Sequence, residues 1–308
     1  MKLDLLIKNI KVITDSEYTA DISIKDGKIV SVTAREPDNS NNTTRSSGQI
    51  DTVTADRIID GTGLEAFPGG IDAHCHLDLD LGPGRVSCDD VEAGTLSAVN
   101  GGITTTITYA YRENDLTLYE SYLKFKEKTD KAHTSIFYHS GIFKITDTLE
   151  QEIKDTDTAA DADDIVSFKI HLNDPAVTNS VLYRALRAVK GTKKRLTIHC
   201  EEGELIEFLK SEAVDLSIKS HPLTRPDTLE EMSILRSGLL AELLDVPIYI
   251  VHLSSAKGLN AVRELKKRGL DIETETTPQY LLLTEDMYNR SDGHLHTCCP
   301  PFRKKRDN

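Results

Sequence analysis

The chain has 308 residues, with 50 acidic against 37 basic side chains and a formal net charge of -13. That length suffices for one large core with a small satellite domain, and the negative balance excludes long-range attraction to phosphate backbones or anionic membranes. A small-molecule partner is expected, with no nucleic acid and no membrane.

The N-terminus, MKLDLLIKN, lacks a secretory apolar region, and no segment offers the roughly 18 uncharged apolar residues of a membrane span. Five cysteines, Cys75, Cys88, Cys200, Cys298 and Cys299, have no zinc-ribbon spacing, so a reducing, cytoplasmic setting is expected. The basic run Arg303 to Arg306 reads as solvated surface.

Residues 3 to 14 and 20 to 33 alternate as short strands, with Asp26-Gly27 as a hairpin turn. A polar stretch from Pro37 to Gln49 reads as an exposed loop; its sequons at Asn41 and Asn42 carry no weight without an export signal. A strand pair around TADRIIDGTGLEAF then leads to Pro68-Gly69-Gly70. Residues 1 to 66 are assigned to part of a small β-sandwich and residues 67 to 308 to an incomplete α/β barrel of the (β/α)8 type.

From Gly70 the pattern alternates. Strands are predicted at Gly70 to His76, Ile103 to Tyr109, Thr134 to His139, Ile165 to His171, Arg195 to Cys200, Pro247 to Leu253 and Leu270 to Thr276. Helices are predicted at Val91 to Asn100, Leu116 to Lys128, Ser180 to Val189, Glu202 to Glu212, Thr228 to Leu244 and Ala256 to Arg268. This reads as seven eighths of a parallel barrel, without the last strand. The acidic stretch Thr148 to Asp164 combines a short helical run with a solvated connection, and its spacing does not fit a calcium loop.

Five residues that can bind metal stand at or near the ends of these apolar runs: His74, His76, Lys169, His199 and His252. His74 and His76 are two apart, so on a strand they share a face and can reach one ion; Asp72 shares that parity as an orienting acceptor. Taken alone, His199 and His252 read equally well as satisfied core histidines. An ammonium repels metal, so Lys169 joins such a set only after carbon dioxide converts its amine to a carbamate able to bridge two cations.

The stretches PGGIDAHCH, VSFKIHL, TIHCEEGELI, HPLTRPDTLEE, IYIVHLSSAKGL, IETETTPQYLLLT and CCPPFRKKRDN together resemble the dihydropyrimidinase and hydantoinase group of cyclic amidohydrolases. The resemblance implies a distorted barrel beside a small sandwich. It implies His74 and His76 on a buried metal, His199 and His252 on an exposed one, and carbamylated Lys169 between them, with two zinc ions, or manganese. It further implies opening of a dihydropyrimidine or hydantoin ring to an N-carbamoyl amino acid, by a dimer or tetramer. Allantoinase or dihydroorotase chemistry, or an inactive structural relative, are the alternatives.

The pattern's general-base aspartate has no counterpart in this chain, so a truncated form with weak or no activity is expected. The substrate-binding tyrosine five positions after the lysine falls at Asp174. His171 stands where phenylalanine is common, and Cys299 replaces a serine before the paired prolines.

Overall fold

The computed structural model describes residues 2–35, 54–80, 82, 84–113 and 115–308. The stretch Pro37 to Gln49, with Asn41 and Asn42, lies outside them. Two compact units divide after Gly70.

The first unit is a five-stranded sheet of β1 (Leu3–Ile13), β2 (Glu17–Lys25), β3 (Lys28–Ala34), β4 (Ala55–Asp60) and β5 (Glu65–Ala66). Its order is β3-β2-β1-β4, with β5 also on β1. Asp26 and Gly27 both take positive φ between β2 and β3, the backbone that a tight hairpin turn requires. Ile10, Val12, Ala20 and Ile22 form its buried cluster.

The second unit is an α/β layer structure on seven parallel strands in sequential order: β6 (Gly70–Cys75), β7 (Ile103–Tyr111), β8 (Ser135–Ile142), β9 (Ile165–His171), β10 (Arg195–His199), β11 (Ile248–Ile250) and β12 (Ile272–Thr274). Sequential order without reversal is the arrangement of a barrel rather than of a doubly wound sheet. The sheet curls as a distorted barrel, and among the described residues no eighth strand closes it. Helices separate the strands, including Val91–Asn100, Asn179–Val189, Asp227–Leu244 and Ala256–Lys267, as well as Leu149–Thr158 within the acidic stretch. Side-chain caps hold several of their first turns: Asp90, Thr117, Thr178 and Ser255 each accept from a backbone N–H inside the helix.

Strand parity sorts chemistry to the two faces. On β9 and β10, Phe168, Ile170, Leu196 and Ile198 are buried against Leu182, Ala185, Leu186 and Ile234 of the helices. Each such side chain contributes about 1.5 to 3 kcal/mol by leaving water. The alternate positions, Ser167, Lys169, His171, Thr197 and His199, face the concave interior. The register places Lys169 beside Gly141 of β8 and Thr197 of β10, so these polar groups gather at one level.

Candidate metal centre

Six rings close into a loop at the carboxyl ends of the strands. In order they are His76, His74, His252, His199, His171 and Tyr111, with successive centroid separations of 5.2, 5.3, 4.6, 5.6, 5.6 and, back to His76, 6.0 Å. Tyr109 stacks on His76 and on His139 below them. Lys169 is fully buried, and its Nζ stands 5.2 Å from the Tyr109 ring centroid without a hydrogen-bond partner among the described residues. Burial brings its pKa from 10.5 to about 7, so near neutrality a substantial fraction of the amine is unprotonated.

The histidines are oriented by carboxylates. His74 Nδ1 is hydrogen-bonded to Glu275 Oε1, and Glu275 also accepts from Tyr249 Oη at 3.2 Å and from the His252 backbone N–H at 3.4 Å. Burial alone would raise the Glu275 pKa, but the His74 hydrogen bond and charge bring it below the ordinary glutamate value. His199 Nε2 donates to Glu201 Oε2 at 2.8 Å, and Arg225 Nη1 donates to the same oxygen at 2.6 Å. Each carboxylate thus fixes a proton on one ring nitrogen and leaves the other nitrogen's lone pair available, Nε2 on His74 and Nδ1 on His199.

Two observations test whether this set fits metal. His74 Nε2 and His76 Nε2 are 3.3 Å apart. Two nitrogens bound to one tetrahedral zinc at about 2.05 Å would be separated by about 3.3 Å. Buried polar atoms without partners among the described residues also concentrate here: Lys169 Nζ, His171 Nδ1, His252 Nδ1 and Tyr109 Oη. Such atoms are costly unless another group satisfies them. Among the described residues no three His, Cys, Asp or Glu side chains already converge as a ligand cluster. The donors instead form a wider loop in which the residue able to join both halves is a lysine. His252 has a φ of 39°, a left-handed conformation that costs about 1 to 3 kcal/mol and is held by the surrounding structure.

The remaining sequence candidates fall elsewhere. Asp72 Oδ1 accepts from the His74 backbone N–H at 3.0 Å, so the carboxylate on that imidazole is Glu275. Asp174 accepts from the Ala176 N–H and lines a cleft of ≈ 260 Å³ with Asn179, Glu202 and Arg236. Cys299 lies in the segment before the paired prolines, where Arg225 and Glu201 are among the charges bearing on its thiol. His221 Nε2 donates to the Cys298 carbonyl at 2.8 Å.

Arg303, expected on the surface, is buried: it donates through Nε to Ser254 Oγ at 3.0 Å and through Nη1 to the Arg225 carbonyl. It belongs to the network behind His199, whereas Lys304, Lys305 and Arg306 are exposed. Sequence reasoning gave no role to Glu275, Tyr109, Tyr111 or Arg225. The one signal for Glu275 is its place directly after a strand, as His76 stands directly after Cys75.

The amidohydrolase family model matches residues 66–277. The D-hydantoinase of Geobacillus stearothermophilus is 34% identical over 310 residues, covering 97% of this chain and 62% of that protein. The D-hydantoinase of Rhizobium radiobacter is 30% identical over 315 residues, covering 99% of this chain and 64% of that protein. A crystal structure of D-hydantoinase superposes with a TM-score of 0.84 at 31% identity, over 98% of this chain and 64% of that one. The dihydropyrimidinase of Brevibacillus agri superposes with a TM-score of 0.85 at 27% identity, over 98% and 64%. The chain therefore spans less than two thirds of the length of these relatives. Among the described residues no helix is long and apolar enough to cross a membrane.

Proposed function

The chain belongs to the amidohydrolase family, and on that premise we propose that it carries a two-metal site for opening hydantoin or dihydropyrimidine rings to N-carbamoyl amino acids. The observation that carries this reading is Lys169, fully buried and without a hydrogen-bond partner among the described residues, whose charge bears on His74, His76, His199 and His252 alike. Its amine, unprotonated in part near neutrality, adds to carbon dioxide with loss of a proton, giving a carbamate with two oxygens for two cations. His74 and His76 would hold one ion and His199 and His252 the other, with the Lys169 carbamate offering an oxygen to each.

When bound, the ions supply Lewis-acid polarisation of the ring carbonyl and a lowered pKa for the attacking water. The chain's own groups prepare that chemistry. Glu275 and Glu201 fix the tautomers of His74 and His199, and Arg225 helps hold Glu201 ionised against its burial. Tyr109 and His139 form an aromatic floor; burial pushes the His139 pKa down to about 4, so that ring is neutral and adds no positive charge beside the cations.

Zinc suits imidazole and carbamate oxygen, with manganese the next choice. The five cysteines are free, which accords with a cytoplasmic setting. The first sheet is read as part of a β-sandwich domain, and the assembly as a dimer or tetramer.

The test is to load the full chain with zinc and bicarbonate and follow conversion of hydantoin to N-carbamoylglycine and of dihydrouracil to N-carbamoyl-β-alanine. Ring opening abolished by chelation and by Lys169→Ala supports the reading. Failure to bind metal under these conditions, or opening indifferent to chelation, contradicts it.

A further inference from the structure

Within the loop of six rings, the metal reading leaves the arc between His76 and His199 without a task. That arc is Tyr111 and His171. Tyr111 Oη stands 3.4 Å from His76 Nδ1 and 3.4 Å from His171 Nε2, both longer than the usual separation of about 2.9 Å.

The ring is nevertheless well seated. It stacks on His76 at 2° and on Tyr109 at 14°, meets Phe143 edge-on, and passes over Gly141, where any Cβ would collide with it. Packing of its ring, more than bonding of its hydroxyl, thus fixes this phenol.

The direction of its proton follows from the histidine beside it. His76 turns Nε2 toward His74 Nε2. If Nε2 lends its lone pair to a cation, the His76 proton is on Nδ1, and Nδ1–H donates to Tyr111 Oη. The phenol's own proton then points away from His76, with the stretched His171 Nε2 as its protein acceptor among the described residues. A ligand carbonyl oxygen offers a better one.

We infer that Tyr111 is the residue whose neutral O–H meets the carbonyl oxygen of the cyclic amide and stabilises the negative charge developing there as the amide carbon is attacked. This rests on the reading given under Proposed function. The tyrosine that the family resemblance would place at position 174 is an aspartate engaged with Ala176, in a cleft shared with Glu202 and Arg236. Tyr111 therefore makes this chain's ring recognition its own. Tyr111 donates a hydrogen bond throughout and transfers no proton.

The experiment uses the full chain loaded with zinc and bicarbonate, with Tyr111→Phe as the variant, since phenylalanine keeps the stacked ring. The variant is expected to keep its metal content and lose about 100-fold in kcat, with KM changed by less than about threefold. Independently, protein labelled at tyrosine Cζ with carbon-13 is titrated with hydantoin. The resonance missing from Tyr111→Phe is expected to shift.

An undiminished kcat in Tyr111→Phe, or a Tyr111 resonance that hydantoin leaves unmoved, overturns the inference. If the loaded wild-type chain binds no metal, the functional reading fails; if it binds metal and opens no ring, the titration alone decides whether Tyr111 meets the cyclic amide.

Discussion

His74 and Glu275 lie 201 residues apart, at the ends of the first and last strands of the seven-stranded sheet, and their side chains are hydrogen-bonded. Two edge strands of a flat sheet cannot meet in this way, so the pair records how far the sheet has curled. It also joins a candidate metal ligand to a carboxylate that holds its tautomer. Glu275→Ala is expected to lower zinc affinity about 10- to 100-fold while the chain remains folded. Competition against a chelator of known affinity measures this; unchanged affinity would remove Glu275 from the site.

The buried Lys169 makes stability depend on pH before any metal or carbon dioxide is added. The unfolded chain keeps the lysine proton up to the ordinary value of 10.5, whereas the folded chain loses it at about 7. Between those values the unfolded state binds more protons, so stability rises with pH through that window and is lowest below it. Lys169→Met is expected to stabilise the metal-free protein most on the acid side of the window and least on the alkaline side. Urea midpoints on both sides measure the effect; an equal gain at every pH would contradict the buried amine.

Behind His199, Glu201 accepts from both His199 and Arg225 in a setting closed to water. Removing one member of such a buried pair leaves an uncompensated charge. Arg225→Met is therefore expected to cost roughly 3 to 5 kcal/mol, and Arg225→Met combined with Glu201→Gln considerably less. Denaturant unfolding of the single and double variants measures the difference, and equal losses would contradict the coupling.

Much of the second unit is legible because strand parity repeats one rule. Ile165 to His171 and Arg195 to His199 alternate apolar residues toward the helices with polar ones toward the interior, so the end of each run marks both the strand and the site. The helix Val91–Asn100 is equally plain from the capping aspartate before it and the two glycines after it.

Glu275 is harder to find, because IETETTP reads locally like any solvated acidic strand end; its partner is supplied by the curl of the sheet and not by its neighbours. Tyr111 is hidden for a related reason. β7 runs two residues beyond the predicted end at Tyr109, and only the parallel register, which sets Tyr111 against Gly141, seats its ring among the histidines. Arg303 is misread because a basic run looks solvated as a whole, whereas its first member turns inward to Ser254 and Arg225.

The central claim is that Lys169, as a carbamate, joins two histidine pairs into one two-metal site. Metal content per chain after zinc and bicarbonate loading, compared with Lys169→Ala prepared identically, tests it most directly. The account predicts two tightly bound zinc ions in the wild-type chain and one or none in the variant. Equal metal content in the two proteins would contradict it.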